Sequence, residues 1–395
     1  MYKNKKVVTC HAGARDGYHL SIAMEKAGLL NCLITDLFLP KFLGEFIQKK
    51  YSNELPFDRV KNIYSNVIKQ KLFNYSYYET DNIISDYALK AAIKTNSNLF
   101  LYSYTAKNAF EYVKMNYLDT KCFLFQLHPH PISIRKLLNE ELALVPLASN
   151  SILKEPEMCL DESYINHLNA EGVHADQIVV ASAYTKKTLV ENNISTDKIS
   201  IIPYGVDSHK FTFKEKFNLQ NGKIRLLFIG QMIQRKGLLY LFEALKMLNS
   251  KNIELQLIGR GVIDNTLIDE YRKYFTIDLK VNLRHDELLY AMHKCDLLVF
   301  PSLVEGFGHV ILEAMSAGLP VLCTPNTAGP DVFVKGIEGV VVPIRNSTAI
   351  AEKIEYYINN KNELADMGES AAITARDFTW DRFQNKIVEF YLKNN

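Results

Sequence analysis

Short apolar segments alternate along the chain with longer stretches in which apolar residues recur at helical spacing. The short segments are rich in Val, Ile, Leu and Phe, which is typical of parallel strands covered by helices on both faces. They are KVVTC, NCLITDLF, NLFLYSY, CFLFQLH, QIVVAS and KISIIPYG, then RLLFIG, IELQLIG, DLLVFPS, PVLCT and GVVVPI. The pattern predicts an α/β protein with two doubly wound, Rossmann-like domains in series.

The alternation is interrupted over 204–223 by Pro, Gly and charged residues. We therefore predict an N-terminal Rossmann-like domain over 1–205 and a second one over 206–375. The amphipathic segment WDRFQNKIVEFYLK follows, and we expect 376–395 to form a helix that packs back across the domains. Ligands of open α/β sheets bind beyond the carboxyl ends of the strands, so two such domains predict a cleft between them.

Composition excludes some classes of protein. The 46 basic and 44 acidic residues nearly cancel, which argues against a nucleic-acid binder. The six cysteines show no metal-ligand spacing and are expected to be buried free thiols in a reducing cytoplasm. No apolar run is long enough to span a bilayer, and the apolar segment at the amino terminus is too short for a signal peptide. We expect a cytoplasmic protein.

The segment KFLGEFIQKKY has a basic amphipathic pattern. It combines the apolar residues Phe42, Leu43, Phe46 and Ile47 with Lys41, Lys49 and Lys50. Two interpretations are open at this point: peripheral contact with an anionic membrane leaflet, or packing of the helix on its own domain.

Residues 305–320 read EGFGHVILEAMSAGLP and follow a predicted strand. A helix is expected to begin near Gly308 or His309, and its unpaired N–H groups favour an anion such as a phosphate. Gly306 and Gly308 would let the backbone approach that anion closely. Glu305 precedes the helix and Glu313 lies about one turn inside it.

Carboxylates accept hydrogen bonds from the vicinal hydroxyls of sugars. Two of them beside a phosphate site therefore suggest a nucleotide-sugar, with Glu313 towards the ribose and Glu305 towards the transferred sugar. The spacing alone also fits a loop charge at Glu305 and a surface residue at Glu313.

The segment PSLVEGFGHVILEAMSAGLPVLCT resembles the signature of retaining family-four glycosyltransferases of the GT-B fold, in which two glutamates separated by seven residues mark the donor site. Other segments resemble the same family in the same order: HAGARDGYH, ADQIVVASAYTKKTLVENN, KISIIPYGVDSHKF, RLLFIGQMIQRKGLLYLFEAL and IELQLIGRG. The resemblance is closest from about Ala175 onward. It implies two domains facing each other across a cleft and a nucleotide-diphospho-sugar as donor.

The resemblance also implies that Lys236, in GQMIQRKG, neutralises the donor diphosphate before a helix that starts near Gly237. Family members often have an arginine directly after the first glycine, where this chain has Gln231. Arg235 would replace that arginine or is an ordinary surface residue. An ion pair at about 4 Å contributes about 4 kcal/mol at an effective dielectric of 20, against about 0.3 to 1 kcal/mol from a helix terminus. Lys236 is therefore expected to dominate.

Three further positions follow from the resemblance. His128, after the strand CFLFQ, would be a polar group near the reacting carbon, or else a histidine fixed in a turn by the neighbouring prolines. Gly13 would approach the donor phosphate or the acceptor, or belong to an ordinary turn. Gly329, in TAGPDVF, would wrap the donor sugar through its backbone.

These inferences define a candidate site. The residues expected to bind the donor are Gly13, Arg235, Lys236, Glu305, Gly306, Phe307, Gly308, His309, Glu313 and Gly329. Those expected to act in catalysis are Glu305, His128 and Lys236.

The resemblance implies sugar transfer, with retention of anomeric configuration, to a glycan or lipid-linked acceptor in bacterial surface polysaccharide or glycolipid synthesis, at the inner membrane leaflet. No Asp-x-Asp motif is placed to chelate the diphosphate, so we expect neither a metal nor another cofactor. Two alternatives are a GT-B sugar-nucleotide epimerase or hydrolase, and a non-catalytic partner subunit. An NAD-dependent dehydrogenase is disfavoured because the GxGxxG motif is missing.

Overall fold

The computed structural model describes residues 5–47, 50–65, 77–214, 223–261 and 265–395. The first domain contains a seven-stranded parallel sheet. Its strands are β1 Val7–Cys10, β2 Leu30–Thr35, β3 Val60–Asn62, β4 Asn98–Tyr102, β5 Cys122–Gln126, β6 Gln177–Val180 and β7 Ile199–Ile201. They lie in the order β3-β2-β1-β4-β5-β6-β7.

The second domain contains a six-stranded parallel sheet. Its strands are β8 Ile224–Ile229, β9 Ile253–Ile258, β10 Thr276–Lys280, β11 Leu297–Phe300, β12 Val321–Cys323 and β13 Gly339–Val341. They lie in the order β10-β9-β8-β11-β12-β13. Each order reverses at its centre, between β1 and β4 and between β8 and β11, which is where doubly wound sheets bind ligands. The predicted pair of Rossmann-like domains is confirmed.

Helices cover both sheets. In the first domain they are α1 His19–Lys26, α2 Lys41–Ile47, α3 Tyr77–Thr95, α4 Lys107–Asn116, α5 Pro131–Leu144, α6 Ser149–Ile152, α7 Pro156–Cys159, α8 Glu162–His174 and α9 Ala183–Glu191. The helices of the second domain are α10 Leu238–Leu248, α11 Asn265–Tyr271, α12 His285–Lys294, α13 Val310–Ser316, α14 Gly329–Val332, α15 Ser347–Asn359 and α16 Lys361–Ala375. The C-terminal helix is α17 Trp380–Asn394. Short 3-10 turns lie at Arg15–Tyr18, Phe57–Arg59, Pro146–Ala148, Thr196–Lys198 and Gln234–Lys236.

The central strands are apolar because helices cover both of their faces. All five residues of β4 (NLFLY) and of β5 (CFLFQ) are buried. The edge strands β3 and β10 were not predicted from the sequence. They read VKN and TIDLK and keep polar residues partly exposed, so they lack the continuous apolar pattern of the inner strands.

The C-terminal helix α17 returns to the first domain. The Trp380 ring stacks on the His19 ring of α1 with 3.9 Å between ring centroids. Near the other end of the helix, the Tyr391 hydroxyl donates to the Lys5 carbonyl at 2.6 Å and accepts from Asn98 Nδ2 at 3.1 Å. Helix α17 therefore packs against the first domain, next to the start of the chain's first strand.

The basic amphipathic segment forms helix α2, with Phe42 71% exposed and Leu43 41% exposed. The side chains of Phe46 and Ile47, and all of Lys49, lie outside the described residues. Across the described parts of the chain, no helix combines the length and apolar character required to cross a bilayer. The six cysteines are free thiols as predicted, but Cys159 is exposed and not buried.

Candidate functional site

A cavity of about 620 Å³ lies between the two domains. The first domain lines it with residues that follow β1, β2, β4 and β5, together with parts of α3 and the segment 155–164. The second domain contributes Arg235, Val304, Glu305 and Gly306. The carboxyl ends of parallel strands from both domains therefore face this cavity, and the cleft predicted between the two domains is present.

Glu305 lies in the loop after β11, and its side chain is 9% exposed. Ser302 Oγ donates to Glu305 Oε1 at 2.5 Å, the Lys236 ammonium donates to the same oxygen, and Arg235 Nη1 lies 3.9 Å from it. Burial alone would raise the pKa of Glu305, but the two cations and the two hydrogen bonds hold this pKa below its usual value. Glu305 is therefore an ionised carboxylate at neutral pH.

Lys236 ends the 3-10 turn Gln234–Lys236, and Gly237 separates it from α10. The predicted helix start near Gly237 is confirmed. Gly237 has φ +71, and a Cβ at this position would lie 2.0 Å from the Pro301 carbonyl oxygen, so the turn requires glycine. The Lys236 ammonium lies 5.4 Å from the centre of the Phe300 ring. Contact with the ring and with Glu305 keeps this charge at one place in the site.

Arg235 links the two domains. Its Nε lies 2.9 Å from Glu155 Oε2 of the first domain, and its Nη1 donates to the Val304 carbonyl oxygen at 3.2 Å. The guanidinium is thus not an ordinary surface group, because it lies between the carboxylates of Glu155 and Glu305. Its predicted substitution for the arginine missing at Gln231 stays a prediction.

Gly306 packs closely against the first domain. A Cβ on Gly306 would lie 2.0 Å from the Leu127 carbonyl oxygen. The Gly306 carbonyl accepts hydrogen bonds from Ser182 Oγ at 2.7 Å and from Thr185 Oγ1 at 3.1 Å. The small residue is thus required for contact with the first domain, whereas the sequence had suggested contact with an anion. Gly308 has φ +88, in the left-handed region that favours glycine.

Helix α13 begins at Val310 with His309 as its N-terminal cap, as predicted. Glu313 lies in its first turn and is partly exposed. Over the described ranges, this carboxylate has neither a hydrogen bond nor an ion pair, and burial raises its pKa to about 7. Glu313 does not line the 620 Å³ cavity. Gly308, which lies between Glu305 and Glu313 in the sequence, packs near the Glu305 side chain.

His128 and Gly13 line the cavity from the first domain. Burial lowers the pKa of His128 to about 4, so its imidazole is neutral at physiological pH. Its ring meets the Tyr104 ring edge-on at 6.0 Å. Gly13 has φ +71, and its N–H donates to Asp36 Oδ1 at 2.8 Å.

Three predicted donor residues have mainly packing contacts. The Phe307 ring is buried, edge-on to Tyr204 at 5.3 Å, and the exposed His309 ring stacks on Tyr204 at 4.5 Å. Gly329 begins α14, and a Cβ there would lie 2.2 Å from Cys323 Sγ. The structure thus groups Glu305, Lys236 and Arg235 and leaves these three outside that group.

Sequence reasoning missed an acidic part of the cavity. Its members are Asp36, Asp81, Glu155 and Glu157. Asp36 directly follows β2, and a charged residue at the carboxyl end of a buried strand is a sequence signal for a cavity-lining position. Asp81 belongs to a long helix, and the two glutamates lie around a short helix, α7, so nothing in their local sequence distinguishes them from surface charges.

Comparison with known proteins agrees with this geometry. Residues 209–374 match the family described as Glycosyl transferases group 1. The chain is 28% identical over 229 residues to the capsular polysaccharide biosynthesis glycosyltransferase CapM of Staphylococcus aureus, covering 54% of this chain and 59% of that protein. It is 27% identical over 227 residues to a glycogen synthase of Mycobacterium tuberculosis, covering 55% of this chain and 54% of that protein. The chain thus spans little more than half the length of these relatives.

Solved structures match nearly the whole chain. Sucrose-phosphate synthase from Thermosynechococcus elongatus superposes with a TM-score of 0.72 at 16% identity, covering 99% of each chain. Anabaena Alr3699/HepE in complex with UDP-glucose superposes with a TM-score of 0.63 at 15% identity, covering 98% of this chain and 99% of that one. The protein therefore has the GT-B fold. The part of the chain that matches the glycosyltransferase group 1 family, residues 209–374, lies within this fold.

Proposed function

We propose that the protein transfers a sugar from a nucleotide-diphospho-sugar to a glycan or lipid-linked acceptor, with retention of anomeric configuration. The observation that carries the proposal is the contact between the Lys236 ammonium and the Glu305 carboxylate beside the interdomain cavity. Both residues lie in the region that matches the group 1 glycosyltransferase family. Sugar transfer from such a donor releases a nucleoside diphosphate, and a fixed cation stabilises the negative charge that develops on this leaving group.

The donor would occupy three positions. Lys236 would bind the diphosphate, and Glu313, which lacks an intramolecular partner in the described part of the chain, would accept hydrogen bonds from the ribose hydroxyls. Glu305 Oε1 already accepts from Ser302 and Lys236. Its second oxygen would accept from a hydroxyl of the transferred sugar. The Anabaena structure with UDP-glucose supports this class of donor.

The proposed reaction is a front-face substitution. The acceptor oxygen forms a bond to the anomeric carbon on the face from which the phosphate oxygen departs, and the acceptor proton passes to that phosphate. Neutral His128 and ionised Glu305 would orient the sugar, while Lys236 supplies the positive charge, so the proposal requires no metal or other cofactor. Retention follows from attack and departure on one face.

The proposed cellular role is synthesis of bacterial surface polysaccharide or glycolipid, which the similarity to CapM supports. The exposed Phe42 and Leu43 beside Lys41 support peripheral contact of α2 with an anionic inner leaflet. This contact would bring the cavity near a lipid-linked acceptor.

A thermal-shift screen against a panel of nucleotide-sugars tests the proposal. We expect one UDP- or GDP-linked sugar to raise Tm, and Glu313→Ala to remove most of that increase. Glu352→Ala, at an exposed position of α15, is the matched control and is expected to keep it. An equal increase in Glu313→Ala would refute the ribose assignment. Rapid release of free or epimerised sugar from the donor alone would favour a hydrolase or an epimerase.

A further inference from the structure

The first-domain wall of the interdomain cavity contains a buried carboxyl group without a partner. Asp81, on α3, is 8% exposed and lines the cavity. It forms no hydrogen bond or ion pair with any residue that the structure describes. Burial raises its pKa to about 7 even though the nearby charge of Arg15 acts in the opposite direction. Such a group is costly to bury unless a ligand satisfies it.

Three hydroxyl donors along the same wall, those of Tyr102, Tyr104 and Thr105, already have acceptors. The Tyr102 hydroxyl donates to Asp16 Oδ2 at 2.7 Å, and Thr105 Oγ1 donates to the Tyr102 carbonyl at 2.8 Å. The Tyr104 hydroxyl is directed at Glu157 Oε1 at 3.4 Å. These hydroxyl donors are therefore not free to hold an anion.

His11 adds a second unused acceptor. Its Nδ1 lies 2.8 Å from the Gly13 carbonyl oxygen, which can only accept, so Nδ1 carries the proton. Burial lowers the pKa of His11 to about 4, which leaves the ring neutral and Nε2 as an acceptor. Nε2 is buried and has no partner in the described parts of the chain.

The charges of the cavity point the same way. Asp36, Asp81, Glu155, Glu157 and Glu305 line it together with the cations Arg15 and Arg235. Arg235 is paired with Glu155, whereas the exposed Arg15 donates through Nε to the Ala12 carbonyl. Carboxylates thus outnumber cations around the cavity, and Asp81 and His11 Nε2 are acceptors without partners among the described residues, so a ligand that supplies hydrogen-bond donors fits this wall.

We infer that this wall binds an uncharged, hydroxyl-rich sugar acceptor, that Asp81 accepts a hydrogen bond from one of its hydroxyls, and that phosphorylated acceptors are excluded. A hydroxyl supplies the donor that Asp81 and His11 lack. A phosphate group offers acceptors and negative charge to a wall that already carries both. The inference rests on the proposed sugar transfer and adds the acceptor class.

Saturation-transfer NMR on the full chain tests this inference with a panel of methyl hexosides, each paired with its 6-phosphate. We expect at least one neutral glycoside to bind and its 6-phosphate to bind about tenfold more weakly or not at all. Asp81→Asn keeps the side-chain shape and an acceptor oxygen but removes the charge, and it should weaken binding of the neutral glycoside about tenfold because a hydrogen bond to a charged acceptor is stronger than one to a neutral amide. Asp86→Asn, at an exposed position of the same helix, should leave it unchanged.

The inference is overturned if no neutral glycoside binds, if a 6-phosphate binds as tightly as its parent, or if Asp81→Asn leaves affinity unchanged. The wild-type comparison needs no variant, so it decides the question even where Asp81→Asn folds poorly. Donor binding is measured separately by thermal shift with nucleotide-sugars. Loss of donor binding in Asp81→Asn would assign the subsite to the donor sugar and so overturn the acceptor assignment, whereas a wild-type protein that binds no nucleotide-sugar would count against the proposed function instead.

Discussion

Replacing Glu313 with glutamine should stabilise the ligand-free protein at pH 8 relative to the wild type and weaken its binding of the donor. Glu313 is a partly buried carboxylate in the first turn of α13 with no partner among the described residues. Glutamine keeps its length and shape but does not ionise. The change therefore separates the cost of burying the charge from the packing of the helix.

The magnitude follows from the pKa of Glu313. Burial raises it from 4.5 to about 7, and each pKa unit corresponds to about 1.4 kcal/mol. Between these values the folded protein keeps the proton that the unfolded chain has lost, so the free energy of unfolding falls as pH rises and levels off above about 7. The full interval gives about 3 kcal/mol, and partial exposure screens the charge, so we expect about 1 to 3 kcal/mol.

The assay is urea unfolding of both proteins, followed by circular dichroism at intervals from pH 5 to pH 8. The difference in free energy of unfolding between Glu313→Gln and wild type should shift in favour of the variant as pH rises. Glu352→Gln, at an exposed site, should show no such trend.

Two results would refute this reasoning. One is a difference between wild type and Glu313→Gln that stays constant across the pH range, because the carboxyl would then ionise normally in the folded protein. The other is full donor binding by the variant, because Glu313 would then be buried without serving a ligand.

Further predictions concern three other positions. Lys236→Met should lower kcat about 1,000-fold, the equivalent of about 4 kcal/mol at an effective dielectric of 20; adding Glu305→Gln should restore stability in urea but not kcat, and recovery of kcat would contradict the role of the cation. Gly306→Ala should reduce kcat while donor binding by thermal shift is kept, because its Cβ would lie 2.0 Å from the Leu127 carbonyl and hold the domains apart; unchanged turnover would exclude that role. The pKa of His128 is about 4, so His128 stays neutral from pH 5.5 to 8. The pH profile of kcat over this range should therefore have the same shape in wild type and His128→Asn, and an inflection present only in the wild type would contradict this.

The central strands and the start of α13 were predictable from the sequence because burial on both faces gives a continuous apolar pattern, and because Gly308 precedes the helix. The edge strand Thr276–Lys280 was not, since an edge keeps polar residues partly exposed. A strand is thus predictable from its apolar pattern only where both of its faces are buried.

The candidate site divides in the same way. The approach of Lys236 to Glu305 agrees with the motifs that suggested both residues. The pairing of Arg235 with Glu155 joins residues 80 positions apart, and the unpartnered Asp81 depends on how α3 packs over the first sheet. Such relations arise from tertiary packing and leave no periodic signal in the sequence.

The central claim is that a nucleotide-sugar binds with its diphosphate at Lys236 and its ribose at Glu313. A structure of the full chain with the nucleotide-sugar selected by the thermal-shift screen tests this most directly. We predict diphosphate oxygens within hydrogen-bond distance of Lys236 Nζ and ribose hydroxyls within hydrogen-bond distance of the Glu313 carboxylate. A nucleotide bound with both groups out of reach of these side chains would contradict the account.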